Sequence, residues 1–272
     1  MDVISTQSIR MPKLGLGTWR LAGDTCRKAV ESALALGYRH IDTAEMYGNE
    51  AEIGDAIKVS GIARADLHVT TKVWYDHLAP EAIRAALDAS LKKLRLDNVD
   101  LYLVHWPAPD MNLGAIFDTL AKLRDEGRIR AFGVCNFPVA LLRKAIDGIG
   151  APIACSQIEY HALLGQDAVR GYLQPKGIPI IAYCPLAQGR MADLPELVAI
   201  GKKHGASAAQ VALKWLLDQD GVAAIPKAGR TESQQANLDA LRITLDDDDR
   251  GIIAALPKDR RFVTPGFAPH WD

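Results

Sequence analysis

"VDLYLVHWPAPDMNLGAIFDTLAKLRDEGRIRAFGV", residues 99–134, reads as a strand, a helix and a second strand. "VDLYLVH" (99–105) is a short run rich in Val, Leu and Tyr, the composition of a buried strand. From Leu113 to Glu126 the apolar positions recur at three- and four-residue spacing, and Gly127 supplies a helix stop. "IRAFGV" (129–134) then returns to strand composition. Two such strands joined through a helix form a parallel crossover unit.

The same alternation runs through the chain. "LGLGT" (14–18) precedes a helical run at 24–36, "RHIDT" (39–43) one at 50–59, and "LHVTTKV" (67–73) one at 80–94. After "IRAFGV" comes 138–149, and "IACSQIE" (153–159) is followed by 167–174. "IPIIAYC" (178–184) precedes two helical runs, 194–204 and 207–219, and "GVAAIPK" (221–227) precedes 233–241. "LDDDDRGIIAAL" (245–256) adds a last helix, its aspartates placed to complement a helix N-terminus. Eight strand–helix units with no linker or composition shift favour a single domain over residues 1–272, folded as an α/β (β/α)8 TIM barrel with two extra helices. Counting units does not prove closure, so an open doubly wound sheet stays as the alternative.

Composition narrows the function classes. Among 272 residues, 49% are apolar and 24% charged, and 32 basic against 33 acidic residues leave a net charge of −1. No strong field draws such a chain to nucleic acid or to an anionic membrane. Four scattered cysteines without CxxC spacing, no signal-peptide core and no 18-residue apolar stretch point to a cytoplasmic protein with reduced thiols.

In a barrel of this kind, catalytic groups stand at the carboxyl ends of the strands. The second strand ends at Asp42 with Tyr47 in its loop, the third at Lys72, the fourth at His105. A tyrosine near pKa ~10 is a poor acid at neutral pH, and a neighbouring ammonium lowers that value. A carboxylate keeps the lysine charged, and a histidine can orient a carbonyl oxygen. Together the four suit proton delivery to an oxygen that becomes an alkoxide. Trp19, Trp74 and Trp106 each follow a strand end, and with Trp271 in the tail they suggest an apolar pocket wall. Trp215, on a helix, is assigned to the core.

A proton donor with no evident nucleophile or metal needs a partner that brings the other half of the reaction. "GLGTW", "GYRHIDTAEMYGNE", "TTKVW", "VHWP", "GVCNF", "QIEYH" and "IPKAGR" with a later Asn237 follow one another in the order and spacing of the aldo-keto reductases. The resemblance covers essentially the whole chain. Within the family, the short loop after His105 and the ending "RFVTPGFAPHWD" most resemble the bacterial 2,5-diketo-D-gluconate reductases of the B type. It implies a (β/α)8 barrel that reduces aldehydes or ketones with NADPH, or less favourably NADH, as a monomer acting on a small carbonyl compound such as a keto-sugar acid or methylglyoxal.

Carried over residue by residue, Asp42, Tyr47, Lys72 and His105 form the catalytic set, Tyr47 being the acid. Asn136 and Gln157 fall where the nicotinamide carboxamide is held, and Tyr183 where a ring stacks on the nicotinamide. Gly17, Thr18 and Trp19 would border cofactor and substrate, with Trp19, Tyr47, Trp74, His105, Trp106 and Trp271 around the substrate. Pro185, Leu186, Gln188 and Gly189 would cover the pyrophosphate, and Lys227, Ala228, Arg230 and Asn237 the adenosine end. The tail, with Phe267 and Trp271, would close the site. Four positions depart from the pattern: Cys135, Cys184 and Ala228 stand where serines are usual, and Ser233 where an arginine is.

Three alternatives are weighed against this. His40, Asp42 and His105 could be metal ligands of a barrel hydrolase, but later strand ends lack the further carboxylate and histidine. Tyr172 and Lys176 have the YxxxK spacing of short-chain dehydrogenases, with Pro175 interrupting the helix between them. A non-enzymatic cofactor-binding regulator on the same barrel would have no use for a tuned proton donor.

Overall fold

The computed structural model describes residues 2–272. A hairpin opens the chain, β1 (Val3–Ser5) against β2 (Arg10–Pro12). Eight parallel strands follow: β3 (Leu16–Gly17), β4 (His40–Asp42), β5 (His68–Val73), β6 (Val99–Val104), β7 (Ile129–Cys135), β8 (Ser156–Glu159), β9 (Ile180–Tyr183) and β10 (Val222–Ala224). Each pairs with its sequence neighbours, in the order β3 through β10. The sheet closes on itself. Leu14 bridges to Ala224 and Gly17 to Lys227 in parallel register, with Gly15 N donating to Ala224 O at 2.9 Å and Gly17 N to Pro226 O at 3.2 Å. Gly17 is glycine for this seam: a Cβ there would stand 2.5 Å from the Ile225 carbonyl oxygen.

The helices are α1 (Gly23–Ala35), α2 (Glu50–Ser60), α3 (Pro80–Leu94), α4 (Leu113–Asp125), α5 (Val139–Arg143), α6 (Asp167–Leu173), α7 (Pro195–His204), α8 (Ala208–Leu217), α9 (Thr231–Asp239) and α10 (Asp247–Ala254). Their boundaries follow the sequence signals. Pro80 begins α3, which buries Ile83, Ala86, Leu87, Leu91 and Leu94 at helical spacing. A capping box of Ser207 with Gln210 opens α8. The run at 138–149 differs from expectation, because α5 lasts five residues and passes into a π-helical turn over Lys144–Gly148.

Alternation along the strands separates two cores. Val69, Tyr102, Val104, Phe132 and Val134 point outward and pack under the helices. Leu101, Leu103, Ala131, Cys135, Cys155, Ile181 and Ala223 point inward and fill the barrel with Ile4, Ile9 and Met11 of the hairpin. The hairpin therefore plugs one end. Near it, the buried rings of His40 and His68 meet edge to face at 4.7 Å, and His40 Nδ1 lies 3.2 Å from Pro12 O. The opposite, carboxyl end is where Asp42, Lys72, His105, Gln157 and Tyr183 emerge.

Candidate active site

Lys72 is the hub of the site. Its side chain is fully buried at the end of β5, and Nζ donates to Asp42 Oδ1 at 2.5 Å and to the Thr43 carbonyl at 2.7 Å. The Tyr47 hydroxyl is its third partner at 3.4 Å. An ammonium with three oxygen partners needs no water. Burial pulls the lysine pKa down, but Asp42 and Tyr47 more than reverse this and leave it raised above its ordinary value.

Tyr47 closes a one-turn 3-10 helix, Glu45–Tyr47, that ends at Gly48 in the left-handed region (φ 66°). Two side chains brace this loop. Buried Asn49 accepts from Thr43 Oγ1 at 2.8 Å and donates to the Thr18 and Leu21 carbonyls at 3.0 and 2.9 Å, tying the loops after β3 and β4 together. Glu45 accepts from the Trp74 backbone N–H and sits 3.2 Å from His77 Nδ1, tying the loop to the one after β5. Burial pushes the Tyr47 phenol up to about 12, with Lys72 acting against it. The sequence suggested that Lys72 would lower this pKa; it does pull in that direction, but desolvation outweighs it.

His105 follows β6 and is buried. Its ring stands 5.6 Å from that of Tyr47 and 5.0 Å from that of Trp74. Burial, then Lys72, hold its pKa well below the ordinary value, so it is a neutral imidazole. Its Nδ1 is buried with no hydrogen-bond partner.

Around these groups the tryptophans gather as a wall. Trp19 lies 4.8 Å from Tyr47, while Trp106 packs on Phe267 at 5.5 Å and on Trp271 at 6.0 Å. Phe267 also meets Trp74 at 5.6 Å and stacks on Tyr75 at 4.5 Å, so the tail lies across the carboxyl end of the barrel.

The residues expected to face a nicotinamide are already linked to one another. Asn136, in the left-handed region at φ 62°, donates to the His105 carbonyl at 3.0 Å and accepts from the Tyr183 hydroxyl at 2.7 Å. Gln157 donates to Asp42 Oδ2 at 2.8 Å, so both oxygens of Asp42 are engaged. Buried Thr18 bonds the Asp42 carbonyl through its hydroxyl at 2.9 Å. Pro185 is buried, Leu186 half-buried, and the loop holds positive φ at Cys184, Ala187, Gln188 and Gly189. Such a run of left-handed residues is the strained backbone found at ligand clamps. Lys227 and Arg230 are exposed just beyond β10, Ala228 and Asn237 buried beside them. The donor set fits a dinucleotide: a half-exposed Tyr183 ring, a strained loop, and two cations beyond it. Cys135 and Cys184 are poor nucleophiles here, since burial raises both thiols, Cys184 to about 11.

His40 sits a layer deeper than Asp42, against the hairpin, and no cluster of three His, Cys, Asp or Glu side chains with metal-binding geometry occurs among the described residues. Tyr172 and Lys176 do converge despite Pro175. Their side chains meet on Asp147 at 2.9 and 2.8 Å, on the outer surface away from the barrel mouth. Sequence reasoning missed Glu159, which lies two residues beyond Gln157 on the same face of β8. Fully buried, it accepts from the Phe262 and Val263 backbone N–H groups at 2.8 and 3.0 Å and lies 3.1 Å from His161 Nε2, anchoring the tail. An ionisable group at a strand end was the signal.

The model of the Aldo/keto reductase family matches residues 13–258. Methylglyoxal reductase DkgB of Escherichia coli O157:H7 is 41% identical over 266 residues, 96% of this chain and 99% of that protein. Glyoxal reductase of Bacillus subtilis (strain 168) is 40% identical over 252 residues, 93% of this chain and 91% of that one. Among solved structures, a putative 2,5-diketo-D-gluconic acid reductase B superposes with a TM-score of 0.93 at 40% identity, covering 96% of this chain and 94% of that chain. The aldose reductase of Schistosoma japonicum superposes at 0.92 with 29% identity, covering 99% of this chain and 98% of its own.

Proposed function

The chain belongs to the aldo/keto reductase family and is an oxidoreductase acting on carbonyl groups; we propose that it uses NADPH to reduce aldehydes and ketones, dicarbonyls and keto-sugar acids among them, with Tyr47 as the general acid. The observation that carries the reading is the buried Lys72 ammonium shared between Asp42 Oδ1 and the Tyr47 hydroxyl at a barrel mouth walled by aromatic rings.

Asn136, Gln157, Tyr183, the loop at 185–189 and the cations Lys227 and Arg230 would hold the cofactor, which would supply a hydride to the carbonyl carbon. The chain's own residues handle the oxygen. Neutral His105 orients it by donating a hydrogen bond. As the carbonyl π pair moves onto the oxygen, the Tyr47 O–H proton passes to it, leaving an alcohol and a phenolate that regains a proton from water. A phenol near 12 is fully protonated at neutral pH, so the donor is always loaded, yet it is a stronger acid than the alcohol being formed. The Lys72 ammonium stabilises the developing phenolate, and Asp42 balances Lys72 when the phenol is neutral. The aromatic wall keeps water from the reacting carbon. Exposed Lys227 and Arg230 favour NADPH over NADH, because a 2′-phosphate matches two cations, one of them a guanidinium fork.

The test is to mix the purified protein with NADPH and follow cofactor oxidation on adding methylglyoxal, 2,5-diketogluconate and simple aldehydes, with a chelator present. Oxidation with NADPH in preference to NADH supports the reading. Tight NADPH binding without turnover on any carbonyl would favour a cofactor-sensing regulator.

A further inference from the structure

The N–H just past the end of β5 is met by a carboxylate that the proton transfer does not use. Trp74, the residue after Val73, donates its backbone N–H to Glu45 Oε1. The turn Trp74–His77 closes with His77 N donating to Trp74 O at 3.0 Å, which brings His77 Nδ1 to 3.2 Å from the same oxygen. Glu45 is thereby enclosed, its side chain 14% exposed. The contact joins the two segments that carry the proton donor and its ammonium. Glu45 lies two residues before Tyr47, and Trp74 two residues after Lys72.

Little else fixes the distance between those segments. Thr43 N donates to Thr70 O at 2.9 Å, and beyond it no backbone hydrogen bond joins residues 44–50 to residues 68–77 among the described residues. Side chains make the remaining ties. Lys72 Nζ reaches Thr43 O at 2.7 Å and the Tyr47 hydroxyl at 3.4 Å, and Thr71 Oγ1 donates to buried Glu50 at 2.6 Å. Apart from the Lys72 bond itself, the Glu45 contact is the tie that bears on Tyr47. Tyr47 N donates to Ala44 O at 3.0 Å and Gly48 N to Glu45 O at 3.2 Å, so Glu45 and Tyr47 belong to one closed turn and shift together. Asn49 holds the loop on its β3 side, which leaves Glu45 as the brace on the β5 side. A separation of 3.4 Å is at the long limit for a hydrogen bond, so a small outward displacement of the turn parts the phenol from the ammonium.

Resting on the reductase reading above, we infer that Glu45 is a positioning residue for the proton transfer, holding the Tyr47 hydroxyl within reach of Lys72 and thereby setting kcat. What the contact needs is an acceptor oxygen rather than a charge, because the Trp74 N–H and His77 both meet Oε1. A glutamine keeps an oxygen there, and an alanine removes it. Without it the Trp74 N–H is left with no acceptor, and the turn that carries Tyr47 loses its tie to the loop after β5. Alignment of a catalytic group governs rate steeply, a displacement of about 1 Å costing up to about 10²-fold.

The experiment compares Glu45→Ala and Glu45→Gln with the wild type in kcat and KM for methylglyoxal, in NADPH Kd, in melting temperature and in the solvent deuterium isotope effect on kcat. Glu45→Ala should lower kcat roughly 10- to 100-fold with NADPH Kd close to wild type, and Glu45→Gln should recover most of the loss. A displaced phenol delivers its proton more slowly, so the isotope effect should be larger in Glu45→Ala than in the wild type and return toward it in Glu45→Gln. Glu45→Ala is also combined with Tyr47→Phe. With the phenol already gone, it should cost no more than about 2- to 3-fold further, because residues that act as a unit are not additive. An undiminished kcat in Glu45→Ala, an unchanged isotope effect, or a loss repeated in full on Tyr47→Phe would reduce Glu45 to a support of the loop and overturn the proposal. So would equal losses in Glu45→Ala and Glu45→Gln. Failure of the wild type to oxidise NADPH with any carbonyl would instead defeat the reductase reading itself.

Discussion

Replacing Asp42 with Asn is nearly isosteric, yet it should damage both stability and turnover. Each oxygen of Asp42 faces a donor, Lys72 Nζ at 2.5 Å and Gln157 Nε2 at 2.8 Å, and the carboxylate is 1% exposed. An asparagine offers one oxygen and one NH2. With its oxygen on Lys72, its NH2 meets the Gln157 NH2 and forces that amide to turn over; the other way round, it sets an NH2 against the ammonium. Turned toward Lys72, its oxygen also carries no charge. Removing one partner of a buried ion pair costs about 3–5 kcal/mol, and Thr43 O still holds the ammonium, which favours the lower end. At about 2–4 °C per kcal/mol for a chain of this size, melting should fall by roughly 6–20 °C. The charge balance changes as well. Burial pulls Lys72 down and Asp42 is the first of the groups that raise it. Without Asp42 the lysine should lose its proton within the working range, so turnover should fall as pH rises through the lowered pKa. Differential scanning fluorimetry and kcat measured across pH 6–10 check both parts. A melting change under about 2 °C, together with a kcat profile parallel to that of the wild type, would refute the claim that Asp42 exists to hold Lys72 charged.

Glu159→Gln should loosen the tail, since a carboxamide cannot accept from Phe262 N and Val263 N at once. A loss of about 1–3 kcal/mol in docking should make tryptic cleavage at Arg260 and Arg261 at least several-fold faster, read by mass spectrometry against the wild type. The buried His40, His68 and His105 all have folded pKa values below the ordinary one, each chiefly through burial. Depressed values mean stability that is complete above the unfolded value near ~6.5 and lost as pH falls toward the folded values, at up to about 1.4 kcal/mol per histidine per pH unit. Melting temperature should therefore drop progressively between pH 6.5 and pH 5, and His68→Gln should flatten that slope; a flat profile in the wild type would contradict neutral burial of these rings.

Much of the barrel was legible because its strands are continuous apolar runs and its helices carry caps and glycine stops at the expected places, as at Pro80 and Gly127. The N-terminal hairpin was not. Its strands are three residues long, and only Ile4 and Met11 turn inward, too short a pattern for alternation to register. Closure was also beyond the sequence, because it rests on Gly17 lying against the Ile225 carbonyl, a contact between residues two hundred positions apart. In the site, the strand-end rule singled out Asp42, Lys72 and His105, and the structure brings them together with Tyr47. That rule stopped one step early at β8, taking Gln157 and passing over Glu159. What no pattern could supply is who partners whom. That Gln157 turns to Asp42 while Asn136 links His105 to Tyr183 depends on loop geometry with positive φ at Asn136, which residue identity does not announce.

The most direct test of the mechanism is Tyr47→Phe, measured for NADPH-dependent carbonyl reduction and, separately, for NADPH binding by fluorescence titration. Removing the hydroxyl 3.4 Å from Lys72 Nζ should cost about 10²–10⁴ in kcat while the NADPH Kd stays close to wild type. Turnover retained within a few-fold of wild type would contradict Tyr47 as the proton donor.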